Sequence, residues 1–102
     1  MATVAETINL SNRALVHITG EDAEKFVQAV ITTNLDKLGV DDLKPGALLT
    51  PQGKIMFDFL VSRIEDGLRF DMPAGIAADF AKRMTLYRLR AKAEISQLPE
   101  SL

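Results

Sequence analysis

The sequence predicts an α+β domain with a mostly antiparallel sheet, in the order strand, helix, three strands, helix, strand. Two stretches with apolar residues at helical spacing predict the helices. Short apolar runs joined by tight turns predict a three-strand meander, whose neighbouring strands must be antiparallel. With 102 residues and 47% hydrophobic side chains, the chain can form one small core. We expect both helices to pack on one face of the sheet.

The first strand and helix are predicted from a change of period near residue 20. Residues 13–19, RALVHIT, are rich in β-branched and apolar side chains, as strands are. Thr19 and Asp22 resemble a capping box. Apolar side chains then recur at helical spacing at Ala23, Phe26, Val27, Val30 and Ile31. We therefore expect a helix over residues 21–32, ended by the polar run at 32–34.

The meander follows a predicted loop, GVDDLKPG, at residues 39–46. Pro51 and Gly53 predict a tight reversal between the first two strands. Asp66-Gly67 predicts the second reversal, because this dipeptide readily takes the positive φ angles of a hairpin. The three strands are expected at residues 47–50, 55–62 and 68–72.

The second helix and the last strand complete the predicted order. Apolar side chains recur on one helical face at Ile76, Phe80, Met84 and Tyr87, which predicts a helix over residues 76–87. From residue 88 the period is two, and one strand face is expected to be basic. That face would carry Arg88, Arg90 and Lys92, followed by Glu94. The final stretch, QLPESL, is expected to be a frayed end or a linker.

Composition excludes several classes of function. Net charge is −2 and the pI about 5.3, so neither a nucleic acid nor a membrane is expected as a partner. The absence of cysteine excludes disulfides, a thiolate nucleophile and thiolate-bound metal. One histidine, His17, cannot form a multi-histidine metal site, and we expect it to be structural. No membrane helix or signal peptide is visible, so a cytoplasmic location is expected.

Asp58 is an acidic residue within an apolar run, IMFDFLV. Alternation along a strand places Met56, Asp58 and Leu60 on one face, opposite the bulkier Phe57 and Phe59. A carboxylate on an apolar floor suits a flat, mostly apolar ligand with a few hydrogen-bond donors. The alternative is that Asp58 is solvated or paired with an arginine.

A basic group at Arg83, Arg88, Arg90 and Lys92 is the second candidate feature. It is either a solvated surface or a cradle for a carboxylate or phosphate. The turn that ends at Lys54 offers one cation but lacks the glycine spacing of a phosphate loop. No nucleophile–base arrangement is visible, and no catalytic or metal-binding residue is predicted.

Several ordered motifs within residues 8–96 resemble the tetrahydrofolate-binding family of the glycine-cleavage T-protein (aminomethyltransferase), and most closely its YgfZ-type branch. The matching positions are Gly20, Glu21-Asp22, Phe26-Val27-Gln28, Thr33-Asn34, Gly53 and Phe57-Asp58. The resemblance implies that Asp58 contacts the pterin of tetrahydrofolate. The pterin would lie on Met56 and Leu60, and Lys54 or Arg90 would bind the anionic tail.

Two departures from the T-protein pattern favour the YgfZ-type branch, whose members act in iron–sulfur cluster assembly or maintenance. Phe57 stands where the T-protein pattern has the first aspartate of a pair. Pro73 falls near the position where that pattern has a folate-binding asparagine. Folate binding without catalysis is therefore favoured. The alternatives are an aminomethyltransferase fragment that transfers a one-carbon unit, and a non-catalytic interaction domain with a vestigial folate site.

The resemblance also implies that residues 1–102 are the N-terminal portion of a longer protein and form a partial folate-binding domain. The expected partners are the remaining C-terminal part of that protein, folate, and iron–sulfur proteins.

Overall fold

The computed structural model describes residues 12–98, which form a five-stranded antiparallel sheet with two helices on one face. The elements are β1 (Arg13–Thr19), α1 (Ala23–Val30), a short 3-10 helix (Leu35–Lys37), β2 (Leu43–Leu49), β3 (Ile55–Ile64), β4 (Gly67–Pro73), α2 (Ala74–Arg88) and β5 (Glu94–Leu98). The strands lie in the order β2-β3-β4-β1-β5, and every neighbouring pair is antiparallel. The predicted class and element order are confirmed.

The core lies between the helices and one face of the sheet. Alternate residues of β1 and β4 are buried there, as a strand with one covered face requires. These are Ala14, Val16 and Ile18 in β1, and Leu68, Phe70 and Met72 in β4. The helices contribute Ala23, Phe26 and Val27 from α1, and Ala77, Phe80 and Met84 from α2. The other face of the sheet has no helix over it in the described part of the chain.

Phe80 holds α2 against the sheet. Its ring centroid lies 5.7 Å from that of Phe57, 5.4 Å from Phe59 and 5.2 Å from Phe70. Phe59 and Phe70 are themselves edge to face at 5.0 Å. Aromatic pairs at such separations add to the free energy gained by burial alone. This cluster therefore joins β3, β4 and α2.

Strand β2 begins earlier than expected, because Pro45 and Gly46 are strand residues and not loop residues. Pro45 is tolerated because β2 is an edge strand and the missing N–H lies on its outer side. The outer side is partly covered by the chain after α1. Thr32 N–H donates to the carbonyl of Ala47 at 3.0 Å, and the Thr33 hydroxyl donates to that of Pro45 at 3.0 Å.

The two reversals of the meander use glycine for different reasons. The first is confirmed: Gly53 has φ +88° within the turn between Thr50 and Lys54. The positive φ predicted at Asp66-Gly67 is wrong, because neither residue adopts it. Gly67 is needed for space, since a Cβ atom there would collide with the carbonyl oxygen of Ile18 on β1.

Helix α1 starts at Ala23, and its predicted capping box is wrong. The Asp22 side chain makes no capping bond. Its carboxylate accepts the N–H of Lys92 at 2.8 Å, and its own N–H donates to the Lys92 carbonyl at 3.1 Å. Asp22 therefore ties the start of α1 to the segment before β5.

The basic strand face predicted from residue 88 is also wrong. Helix α2 continues to Arg88, a turn follows at Leu89 and Arg90, and β5 does not begin until Glu94. Gln97 and Leu98 belong to β5 instead of a frayed end, and residues 99–102 lie outside the described residues. Residues 8–11 of the family resemblance also lie outside them.

Arg63 joins three segments, and replacing it should destabilise the fold. Its Nε donates to the Leu38 carbonyl at 2.7 Å and its Nη2 to the Leu35 carbonyl at 2.7 Å. Its guanidinium also binds both Glu24 carboxylate oxygens, at 2.7 and 3.1 Å. We expect Arg63→Ala to lower the free energy of unfolding by about 2 kcal/mol, because two carbonyls lose a charged donor.

Glu24→Gln is the matched control in urea unfolding, because it weakens the ion pair and leaves the carbonyl contacts in place. Its effect should stay below about 1 kcal/mol, since the pair is solvent-exposed. The Arg63 bond lowers the pKa of Glu24, so this contribution is present above the ordinary glutamate pKa and is lost as pH falls. Equal losses in both variants would show that the ion pair, and not the carbonyl contacts, carries the effect.

No helix within residues 12–98 has the length and apolar character needed to cross a membrane.

Candidate functional site

The open face of the sheet carries the candidate site. Strand pairing places Leu60 beside Asp71, and Asp71 beside Leu15, in one row across β3, β4 and β1. Asp58 lies one strand repeat further along β3, opposite Ala47 of β2. This face therefore combines apolar side chains with carboxylates.

Asp58 lies in a shallow cleft of about 430 Å³ on this face. Its lining brings together the edge strand, the strand that carries Asp58 and the ends of β1 and β4. The lining residues are Arg13, Pro45, Gly46, Asp58, Phe59, Leu60 and Pro73. Two proline rings and a leucine provide apolar walls around one carboxylate.

The Asp58 carboxylate is exposed and makes no hydrogen bond or ion pair with any residue in the range 12–98. The arginine of the cleft, Arg13, is already engaged, because its Nε donates to Asp71 Oδ1 at 2.9 Å. Of the alternatives to a ligand role, pairing with an arginine is therefore not observed, whereas the exposed carboxylate agrees with a solvated side chain. Asp58 is free to accept hydrogen bonds from a ligand.

Met56 does not share the Asp58 face, contrary to the alternation expected from the sequence. Leu48 pairs with Phe57 but Leu49 pairs with Ile55, so Met56 is an extra residue in a β-bulge. Its side chain packs against the core, while Ile55 is 66% exposed. A one-residue slip moves side chains to the opposite face, and this slip removes Met56 from the predicted apolar floor. Leu60 remains, half-buried, in the cleft lining.

The two predicted tail-binding cations lie in different places. Lys54 is exposed immediately before β3, four residues from Asp58, and the bulge at Met56 keeps the separation to at most about 13 Å. Arg90 follows the far end of α2, whereas Pro73 in the cleft precedes its first residue. A 15-residue helix is about 22 Å long, so Arg90 is remote from the cleft. The structure of residues 12–98 therefore does not bring Arg90 together with Asp58.

The four basic residues predicted to form a cradle lie on different elements. Arg83 is exposed on α2, and Lys92 is exposed before β5. Arg88 at the end of α2 donates from Nη1 to the Ala93 carbonyl at 3.2 Å, a structural contact. In the described range, no three His, Asp or Glu side chains lie close enough to hold a metal ion.

Two curated relatives are similar to this chain along nearly its whole length. The mitochondrial iron–sulfur cluster assembly factor IBA57 homolog of Pyricularia oryzae is 29% identical over an alignment 98 positions long that covers 89% of this chain and 24% of the relative. The homolog of Chaetomium globosum is 32% identical over an alignment 110 positions long, gaps included, that covers 89% of this chain and 25% of the relative. These relatives confirm the family resemblance. No protein-family model matches the chain.

A solved structure shares the fold. The glycine cleavage system aminomethyltransferase T of Bartonella henselae superposes with a TM-score of 0.80 and 16% identity, covering 88% of this chain and 25% of that one. This chain thus spans about a quarter of the length of the proteins that it matches. The names of the IBA57 homologs include the word mitochondrial, and the predicted cytoplasmic location stays a prediction.

Arg13 and Pro45 were not predicted as lining residues of an Asp58 cleft, whereas the resemblance placed Pro73 near a folate-binding position. Pro45 was assigned to a loop, although a proline can occupy an edge strand. Arg13 reaches the cleft because β1 pairs with β4 in a register that sets Arg13 opposite Pro73. Non-local pairing of this kind leaves no local signal in the sequence.

His17 is half-buried on the open face and accepts a hydrogen bond at Nε2 from Arg69 Nε at 3.1 Å. This agrees with the structural role expected for it. Partial burial and, secondarily, the Arg69 charge hold the His17 pKa below its usual 6.5, although Asp66 opposes the shift. The folded state therefore favours neutral imidazole, whose Nε2 can accept.

We expect stability to fall as pH drops from about 6.5 through the lowered His17 pKa, since the unfolded chain then binds the proton more readily. Two measurements check this: an NMR titration of the His17 ring, and urea unfolding between neutral and mildly acidic pH. His17→Gln should flatten that part of the stability profile. A ring pKa at or above 6.5 would contradict the expectation.

Proposed function

We propose that this chain forms the pterin-binding part of a tetrahydrofolate-binding protein that acts in iron–sulfur cluster assembly. Support for the cellular role comes from the similar proteins, which are named as iron–sulfur cluster assembly factors. Support for the ligand comes from the Asp58 cleft and from the resemblance of its strand to a folate-binding strand. The ligand and the cellular role are independent, and each has its own test.

The observation that carries the ligand proposal is the free Asp58 carboxylate. A tetrahydropterin ring offers adjacent N–H groups at N3 and at its 2-amino substituent. A carboxylate can accept both in a bidentate pair, as it does with a guanidinium. Because Asp58 has no partner among the described residues, these bonds would replace water and no existing protein contact.

The walls of the cleft also suit a flat ring. Pro45, Leu60 and Pro73 present apolar surface beside the carboxylate, which is the usual composition of a small-molecule site. The cleft volume of about 430 Å³ lies within the range of such sites. The Arg13–Asp71 pair, 2.9 Å long, adds a fixed polar group at the rim. These residues fit the pterin portion of folate.

Lys54 is the residue of this chain that we propose for the anionic tail. It is exposed, directly precedes the strand that carries Asp58, and is four residues from Asp58 in the chain. A ligand with its pterin at Asp58 would have to extend toward the β2–β3 turn to meet Lys54. Further tail contacts belong to the longer protein of which this chain would be one portion.

Binding without catalysis is supported by the position of Phe57. Its ring packs edge-on against Phe80 at 5.7 Å, on the core side of β3. The site therefore has one carboxylate from this strand, where the T-protein pattern has an aspartate pair. A single carboxylate can orient and hold the ring, which is the role that we propose for Asp58.

Calorimetric titration with tetrahydrofolate tests the ligand proposal. We expect saturable binding by the longer protein containing this chain, with competition from 6-methyltetrahydropterin, which has the ring but no anionic tail. Competition would assign recognition to the pterin end. Absence of saturable heat would remove folate as the ligand, whatever the cellular role.

The iron–sulfur proposal has its own test in cells that lack the protein. We expect reduced activity of iron–sulfur enzymes, restored by the wild-type gene. Full iron–sulfur enzyme activity in the deleted strain would contradict the cellular role and would leave the folate measurement untouched.

A further inference from the structure

The far end of α2 carries an exposed surface that the Asp58 cleft does not use. We call it the α2-end patch, and it consists of Lys82, Arg83, Leu86, Leu89 and Arg90. Leu86 is 61% exposed and Leu89 is 84% exposed. All three basic residues are exposed, and none forms an ion pair with another residue in the range 12–98. The patch therefore combines two leucines with three cations that have no protein partner there.

Leu89 has an unusual backbone conformation. Its φ is 49° and its ψ is −111°, and no other residue except glycine has a positive φ in the described chain. Such conformations are costly for a side chain with a Cβ atom. The cost is not offset by burial, because the side chain is 84% exposed. Glycine would make the same turn without strain, so the turn alone does not account for the leucine.

A shallow cleft of about 360 Å³ adjoins the patch. It lies between α2 and the start of β3, and its lining is Phe57, Asp79, Lys82, Arg83 and Leu86. The half-buried Phe57 ring gives it an apolar wall, and Lys82 and Arg83 stand at its rim. One apolar side chain of a partner could enter this cleft while acidic groups meet the surrounding cations.

We propose that the α2-end patch binds an acidic protein segment that carries apolar side chains of leucine size. The positive charge selects an acidic partner, and the leucines with the Phe57 cleft supply the apolar contact. The concave cleft favours a protein segment, which has protruding side chains, over a flat membrane surface. Helix α2 covers the face of the sheet opposite Asp58, so this site is independent of the folate proposal.

The test is an NMR titration of the protein with a synthetic peptide of alternating Glu-Leu and Asp-Leu pairs, and with a second peptide in which serine replaces every leucine. We expect the leucine peptide to shift the amide signals of Lys82, Leu86 and Leu89 saturably, and the serine peptide to bind at least about tenfold more weakly. The paired variant Leu86→Ser with Leu89→Ser should cause a similar loss. Lys25→Glu with Val40→Ser, at exposed positions away from the patch, is the control and should bind normally.

Leu89→Gly provides a second test. If the leucine is kept for binding, this variant should have a higher Tm, because the strain is removed, and a weaker affinity for the leucine peptide. Three results would overturn the proposal: no saturable shifts at the patch, equal binding of the two peptides, or full peptide affinity in the Leu89→Gly variant. Co-sedimentation with phosphatidylglycerol vesicles, without any shift by the peptide, would assign the patch to a membrane surface instead.

Discussion

Replacing Phe80 with alanine is expected to lower the free energy of unfolding by about 4 kcal/mol. The residue is fully buried, and its ring touches three other phenylalanine rings from two strands. Removing it deletes the largest buried side chain of α2 and leaves a cavity that the neighbours cannot fully close. This is a large share of the roughly 5–15 kcal/mol that stabilises a typical small domain. Urea unfolding followed by circular dichroism measures the change.

Phe80→Leu is the matched variant, because it keeps an apolar side chain at the same position. Its cost should be well below that of alanine, at about 1 to 2 kcal/mol. Phe57→Ala should also cost less than Phe80→Ala, since Phe57 is only half-buried. A Phe80→Ala protein that unfolds at nearly the wild-type urea concentration would contradict the central place of this ring in the core.

Replacing Asp58 with asparagine is expected to weaken tetrahydrofolate binding about a hundredfold or more, because two charge-assisted hydrogen bonds are lost. Asparagine has nearly the same shape, but one of its two terminal groups is a donor that faces the donors of the pterin. Stability should change by less than about 0.5 kcal/mol, because Asp58 is exposed and has no partner in the described chain. Calorimetric titration and urea unfolding of the same preparation measure both effects.

Asp41→Asn is the matched control for this variant, since it removes the same charge from an exposed position outside the cleft. Its tetrahydrofolate affinity should equal that of the wild-type protein. Asp71→Asn should give an intermediate loss, because it weakens the Arg13 pair at the rim without touching the ring. Wild-type affinity in Asp58→Asn would exclude Asp58 from the site.

The fold could be predicted where the signal is local. Periods of two and 3.6 residues located the strands and helices, and the turn at Gly53 fixed the first reversal of the meander. The end of α2 was predicted within one residue, but the start of β5 was not. Alternating charges after Arg88 imitated a strand, whereas the chain turns at Leu89 in a conformation that leucine rarely adopts and β5 begins only at Glu94.

The site could be predicted only where its signal was local. Alternation along β3 placed Asp58 on the open face, because β3 is regular from Phe57 onward. Met56 was misplaced because the bulge depends on how β3 pairs with β2, which a single strand does not encode. The distance of Arg90 from Asp58 could not be predicted, because it is set by the length and direction of α2.

Chemical-shift mapping of the ¹⁵N-labelled protein during titration with tetrahydrofolate would show whether the pterin binds in the Asp58 cleft. The proposal predicts saturable shifts at the amides of Arg13, Asp58 and Leu60, with little change at the exposed residues of α2, and no such shifts in Asp58→Asn. Saturable shifts confined to the helices, or none at any ligand concentration, would contradict a pterin site on the open face of the sheet.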